Sequence, residues 1–218
     1  MKRLLLIFIM AMCLSSARGQ VENTRPLWGV KAAVDVNIPG KWHGAVPEAV
    51  DMYRAGAGVS AGVVYNVYLG HNFFLEPGVS FFYDTYSFKD LIIMDDNERE
   101  HSAPGLYKAG LRIPVVAGYL INMTDRFAMT VYTGPELNYA FAGKVKVKDN
   151  RQLDGSDLEL FGEYGSQHRV DCAWRVGVGL PVGSWTINLE GSIGITDLMK
   201  GPISFRENRF SAGLTYYF

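Results

Sequence analysis

Few residues in this chain have types and spacings that could do chemistry. The four histidines, His43, His71, His101 and His168, stand in no metal-ligand spacing with one another, with cysteine or with a carboxylate. They read as solvated side chains in loops and in one short turn. Ser166, His168 and Glu163 have the types of a nucleophile, a base and an orienting acid. Catalysis needs those groups in a spatial arrangement that closeness in sequence does not supply. The acidic stretch from Asp149 to Asp157 lacks the alternating carboxylates and central glycine of a calcium loop. No catalytic residue, cofactor-binding residue or metal ligand is therefore expected, and the chain is read as not an enzyme.

A larger set of ionisable residues does form a pattern. Lys31, Asp35, Glu76, Asp84, Lys108, Arg112, Glu136, Asp171, Arg175, Glu190 and Arg209 all fall on one parity of alternating segments. Gly58, Gly62, Gly110, Gly134, Gly177 and Gly194 are interleaved with them. Charges of both signs in a narrow interior can pair with one another, and glycine makes room for long side chains. These residues are expected to form a lumen charge network.

The elements that must position them read as strands. Eight segments, 27–37, 54–66, 73–86, 106–120, 127–141, 169–181, 185–197 and 206–218, alternate between apolar and polar or tiny residues. In the seventh, Trp185, Ile187, Leu189, Ile193 and Ile195 oppose Thr186, Asn188, Glu190 and Ser192. Rings on the apolar parity gather near strand ends. Trp28, Tyr65, Phe73, Tyr119, Phe127, Trp185 and Phe218 share one end, and Tyr53, Tyr83, Tyr107, Tyr139 and Phe141 the other. Two aromatic girdles flanking an aliphatic band are what a barrel in lipid displays. Gaps between segments alternate long and short, the short ones being Asn66–Asn72, Asn122–Arg126 and Pro181–Ser184. The predicted fold is all-β: a single eight-stranded antiparallel up-and-down transmembrane β-barrel with long extracellular loops and short periplasmic turns. Eight strands leave an interior just wide enough to be filled by side chains, so a plugged core is expected rather than a pore.

The amino end supports export. Lys2 and Arg3 precede an apolar run from Leu4 to Leu14, and small residues Ala17 and Gly19 follow at the spacing a signal peptidase reads. That run is about 11 residues, against the roughly 20 a spanning helix needs. Residues 1–19 are read as a cleaved signal peptide and 20–218 as the barrel domain. Of the two cysteines, Cys13 lies in that leader, which leaves Cys172 and no internal disulfide framework. A net charge of −1 implies no attraction to nucleic acid.

Several segments together resemble the PorT-like family of small outer-membrane β-barrels. They are Gly29-Val30-Lys31-Ala32, Ile113-Pro114, Gly134-Pro135, the run from Ser192 to Leu198, and the aromatic end Tyr216-Tyr217-Phe218. The resemblance implies an outer-membrane location in a Gram-negative bacterium. It also implies that Tyr216 and Phe218 form a signal read by the barrel-assembly machinery. Some members of that family support protein secretion. Outer-membrane lipid and lipopolysaccharide are expected around a monomeric barrel, and the apolar tetrad Leu91, Ile92, Ile93 and Met94 is a candidate contact loop for a protein partner. A structural or loop-mediated interaction role leads; a lipid-modifying barrel enzyme and a narrow porin-like channel are the competing readings.

Overall fold

The computed structural model describes residues 27–41, 43–44, 53–88, 105–124, 127–146, 158–162, 165–202 and 204–218. The expected leader 1–19, the tetrad Leu91–Met94, His101 and Glu163 lie outside them. Eight long strands are present: β1 (Leu27–Pro39), β2 (Gly56–Gly70), β3 (Phe73–Phe88), β4 (Gly105–Thr124), β5 (Phe127–Lys146), β6 (Val170–Val182), β7 (Trp185–Gly194) and β8 (Glu207–Tyr217). Each pairs antiparallel with its neighbour in sequence, and β1 pairs with β8 in the register Val30↔Tyr216 to Ile38↔Asn208. The sheet is therefore closed, which leaves no long unpaired edge. Two-residue strands, Tyr53–Arg54 on β3 and Leu158–Glu159 on β5, raise the rim at the end of the long loops.

Exposure alternates residue by residue and in the sense opposite to a protein folded in water. Along β7, Ile187, Leu189 and Ile193 face outward while Thr186, Asn188, Glu190 and Ser192 are buried. On β1, Val30, Val34 and Val36 face out and Asp35 and Asn37 face in. Exposing this many aliphatic side chains while enclosing the charges is favourable only where the surroundings are themselves apolar.

The connections at the terminal end are tighter than predicted. The strands run on to leave two-residue turns, because His71 and Asn72 both adopt positive φ (52° and 66°) and Gly183 does likewise (63°). Positive φ at both central positions marks the turn whose twist matches a hairpin. At the other end, the seventh strand stops at Gly194, short of the predicted 197. There Asp197 Oδ1 accepts hydrogen bonds from Met199 N (3.0 Å) and Phe205 N (2.9 Å), tying both to the strand's end.

Rings also occur on the polar parity: Phe74, Phe82 and Tyr86 of β3 point inward and are buried. Glycines on the next strand explain two of them. A Cβ at Gly118 would fall 2.2 Å from the Phe74 ring, and one at Gly110 would fall 2.7 Å from Phe82. The space glycine leaves is thus filled by rings as well as by long charged side chains.

Candidate functional site

The lumen holds its side chains in stacked layers along the barrel axis. Nearest the short turns, Tyr217 Oη (2.6 Å) and Asn66 Nδ2 (3.1 Å) both donate to Glu76 Oε2. Above them, Asn188 Nδ2 donates to Thr215 Oγ1 (2.8 Å). Glu190 then accepts from Lys31 Nζ (2.5 Å) and Tyr132 Oη (2.8 Å), and it meets Arg175 Nη1 at 3.3 Å. The ring of Tyr132 occupies the space beside Gly177, where a Cβ would lie 2.4 Å from it.

Glu136 occupies the centre. Its Oε2 accepts from Arg175 Nε (2.6 Å), its Oε1 from Arg209 Nη2 (2.5 Å), and it is 1% exposed. Toward the long loops, Arg112 bridges Asp35 Oδ2 and Asp84 Oδ2, each at 2.6 Å, with its guanidinium 4.3 Å above the Phe82 ring. Lys108 Nζ reaches Glu207 Oε2 (2.5 Å), and Tyr86 also donates to Glu207. Every residue of the expected lumen network thus faces inward. Two of them do not follow the expected pairing of opposite charges. Glu76 is held by a tyrosine and an asparagine, and Asp171 by Asn138 Nδ2 (3.0 Å) and Thr196 Oγ1 (2.8 Å).

Glu207 belongs to this network and was missed, although it shares the parity of Arg209 within the last predicted strand. Tyr86, Tyr132 and Tyr217 were missed because a tyrosine on the polar parity carries no charge to flag it. Their hydroxyls supply the donors that the cations do not.

A cap of apolar residues closes the end bearing the long loops. Leu160 and Phe161 from one loop and Leu198, Met199 and Phe205 from another pack on Phe82, Tyr86, Leu106 and Ala140. Backbone bonds knit the two loops together: Gln167 N to Leu160 O (3.0 Å), His168 N to Leu198 O (2.8 Å) and Lys200 N to Ser166 O (2.9 Å). The bridge between His43 and Ser204 ties in the first loop. Slight burial opposes the charged form of Asp197, yet the N–H groups of Phe205 and Met199 outweigh it and hold the carboxyl below its usual range. The side chains of Ser166 and His168 are exposed on this cap. Among the described residues, no group of three or more His, Cys, Asp or Glu converges as a metal site.

The outer wall carries the rings. Trp28 lies tilted against Tyr65 (centroids 4.7 Å) and Trp185 against Tyr216 (4.8 Å), Phe73 meets Tyr119 edge to face (4.8 Å), and Phe218 meets Tyr216 likewise (5.3 Å). Phe127 is exposed at the same end. Near the other end, Tyr83 stacks on Tyr107 (6.0 Å), and Phe81 lies 5.8 Å from Phe141.

The chain is similar to several solved outer-membrane proteins. With Neisserial surface protein A it shares 16% identity over 88% of this chain and 97% of that one, at a TM-score of 0.49. With Ail of Yersinia pestis, in complex with the heparin analogue sucrose octasulfate, the values are 12%, 89%, 100% and 0.46. With OprG of Pseudomonas aeruginosa they are 11%, 88%, 95% and 0.46. No curated protein matches the sequence. Residues 19–200 match the family described as outer membrane protein beta-barrel domain, so the chain belongs to that family and its barrel is one of the outer membrane.

Proposed function

We propose that the protein is a closed, non-conducting barrel that works through its extracellular loops as a structural or interaction protein. The observation that carries this reading is the double closure of the lumen. A lattice of ion pairs and hydrogen bonds fills its length, and the apolar cap of two loops covers its outer mouth. A barrel built for passage would hold neither its charges in mutual contact nor a hydrophobic seal above them.

The same reading takes residues 1–19 as a cleaved export signal and Tyr216 and Phe218 as the signal for the assembly machinery. Lipid and lipopolysaccharide surround a monomer that does no enzyme chemistry. The PorT-like resemblance refines the role to support of protein secretion, with loop residues Leu91, Ile92, Ile93 and Met94 as the contact for a protein partner. Recording from the purified protein in planar bilayers tests the core of this proposal. Absence of steps above baseline is expected, and large, stable single-channel steps would overturn it. An altered lipid A or acyl pattern in a deletion strain would instead favour the lipid-modifying enzyme.

A further inference from the structure

Among the described side chains, two cations have no hydrogen-bond or ion-pair partner, and they are neighbours. Lys41 and Arg206 are both exposed, each just past the end of its strand. The β1–β8 pairing carries on beyond Pro39↔Glu207 with Gly40 N donating to Arg206 O (2.8 Å), which sets the two cations side by side. The carboxylates close to them are committed elsewhere. Glu207 turns into the lumen to Lys108, and Asp197 accepts from the N–H groups of Met199 and Phe205 and feels the charge of His168. Two like charges held together on a sheet repel, and a shared anion relieves that cost.

Their height on the wall says which anion. The outward residues of β1 from Trp28 to Ile38 are all apolar. That length of tilted strand spans about 25 Å, the full height of an apolar band in lipid. The next position up therefore lies in the headgroup layer, at the end of the barrel that bears the long loops. Around and beneath it, Ile38, Ile195 and Phe210 are half-exposed on the outer wall and offer a bed for acyl chains. A ligand with phosphate above and hydrocarbon below fits this surface, whereas a soluble anion would leave the apolar half unused. A phosphomonoester carries nearly two negative charges near neutral pH and matches two cations. The phosphodiester of a phospholipid, with a single charge, matches only one of them.

We propose that Lys41 and Arg206 form a binding site for one phosphate of lipid A in the outer leaflet. The guanidinium takes two phosphate oxygens and the ammonium the third. The site holds the lipid at the seam where the first and last strands meet. It rests on the reading that lipopolysaccharide surrounds the barrel and is independent of whether the lumen conducts.

Native mass spectrometry of the refolded barrel, released from micelles doped with diphosphoryl lipid A, dephosphorylated lipid A or phosphatidylglycerol, counts the lipid retained. One diphosphoryl lipid A per barrel is expected, with the other two lipids held about tenfold more weakly. Lys41→Gln combined with Arg206→Gln should weaken lipid A retention about tenfold. Lys200→Gln, which removes an ammonium already bound to Gly162 O (2.7 Å), should leave it unchanged. These substitutions touch only exposed side chains, and heat-modifiable mobility on a gel verifies that each variant is folded. Failure to retain lipid A, equal retention of either control lipid, retention that survives the double substitution, or an equal fall in Lys200→Gln would each overturn the proposal. None of these outcomes bears on the bilayer recording, which tests the closed lumen by itself.

Discussion

Glu136 shows how strongly one residue can be committed in this lumen. It is enclosed between the guanidiniums of Arg175 and Arg209, and no solvent reaches its carboxylate. Removing one member of such a set strands buried charge, and Glu136→Gln is expected to cost about 3–5 kcal/mol of unfolding free energy. Asp35→Asn should cost clearly less, because Arg112 keeps its contact with Asp84. Urea unfolding of the refolded variants, read by intrinsic fluorescence, checks both the size and the order. Asp197 adds a dependence on acid. Its carboxyl is held below the ordinary value, so its contribution is present above about pH 4, where the unfolded group is ionised, and is lost as pH falls through the folded value. The protection factors of the Met199 and Phe205 amides, taken against intrinsic exchange rates at each pH, should fall on acidification, and Asp197→Asn should show low protection already at neutral pH. Most of this network was legible in the sequence, since a charge at every second position of a strand can face only one way. What was not legible was the partner of each charge, which depends on register across the barrel. Glu76 and Asp171 ended beside neutral donors for that reason.

Among the elements, the strands declared themselves through period-two alternation, and their turns and loops did not. β2 and β4 extend past their predicted ends because hairpin pairing continues to the last residue the turn allows, as at Gly70↔Phe73 and Thr124↔Phe127. The loop after β7 stops the strand early because the Asp197 side chain captures two backbone N–H groups, a local chemistry that overrides alternation. Glycine positions make the packing between strands testable. At Gly177 an added Cβ meets the Tyr132 ring, whereas at Gly191 the nearest atom is 3.7 Å away. Gly177→Ala is therefore expected to destabilise by about 1–3 kcal/mol by displacing Tyr132 from Glu190, and Gly191→Ala should be close to neutral. Heat-modifiable mobility on a gel, scored against temperature, separates the two.

For the molecule as a whole, closure follows from pairing β1 with β8, and the cap follows from contacts no local pattern could announce. Leu160, Phe161, Leu198, Met199 and Phe205 lie in aperiodic segments, and only the folded barrel brings them above Phe82 and Tyr86. The account stands on one orientation of the wall, aliphatic side chains toward lipid and polar ones toward a closed interior. Site-directed spin labelling along β7 measures that orientation directly. In a Cys172→Ser background reconstituted in bilayers, labels at Ile187, Leu189 and Ile193 should collide readily with molecular oxygen, and labels at Thr186, Asn188 and Ser192 should not. Accessibility that fails to alternate along these positions, or alternates in the opposite phase, would contradict it.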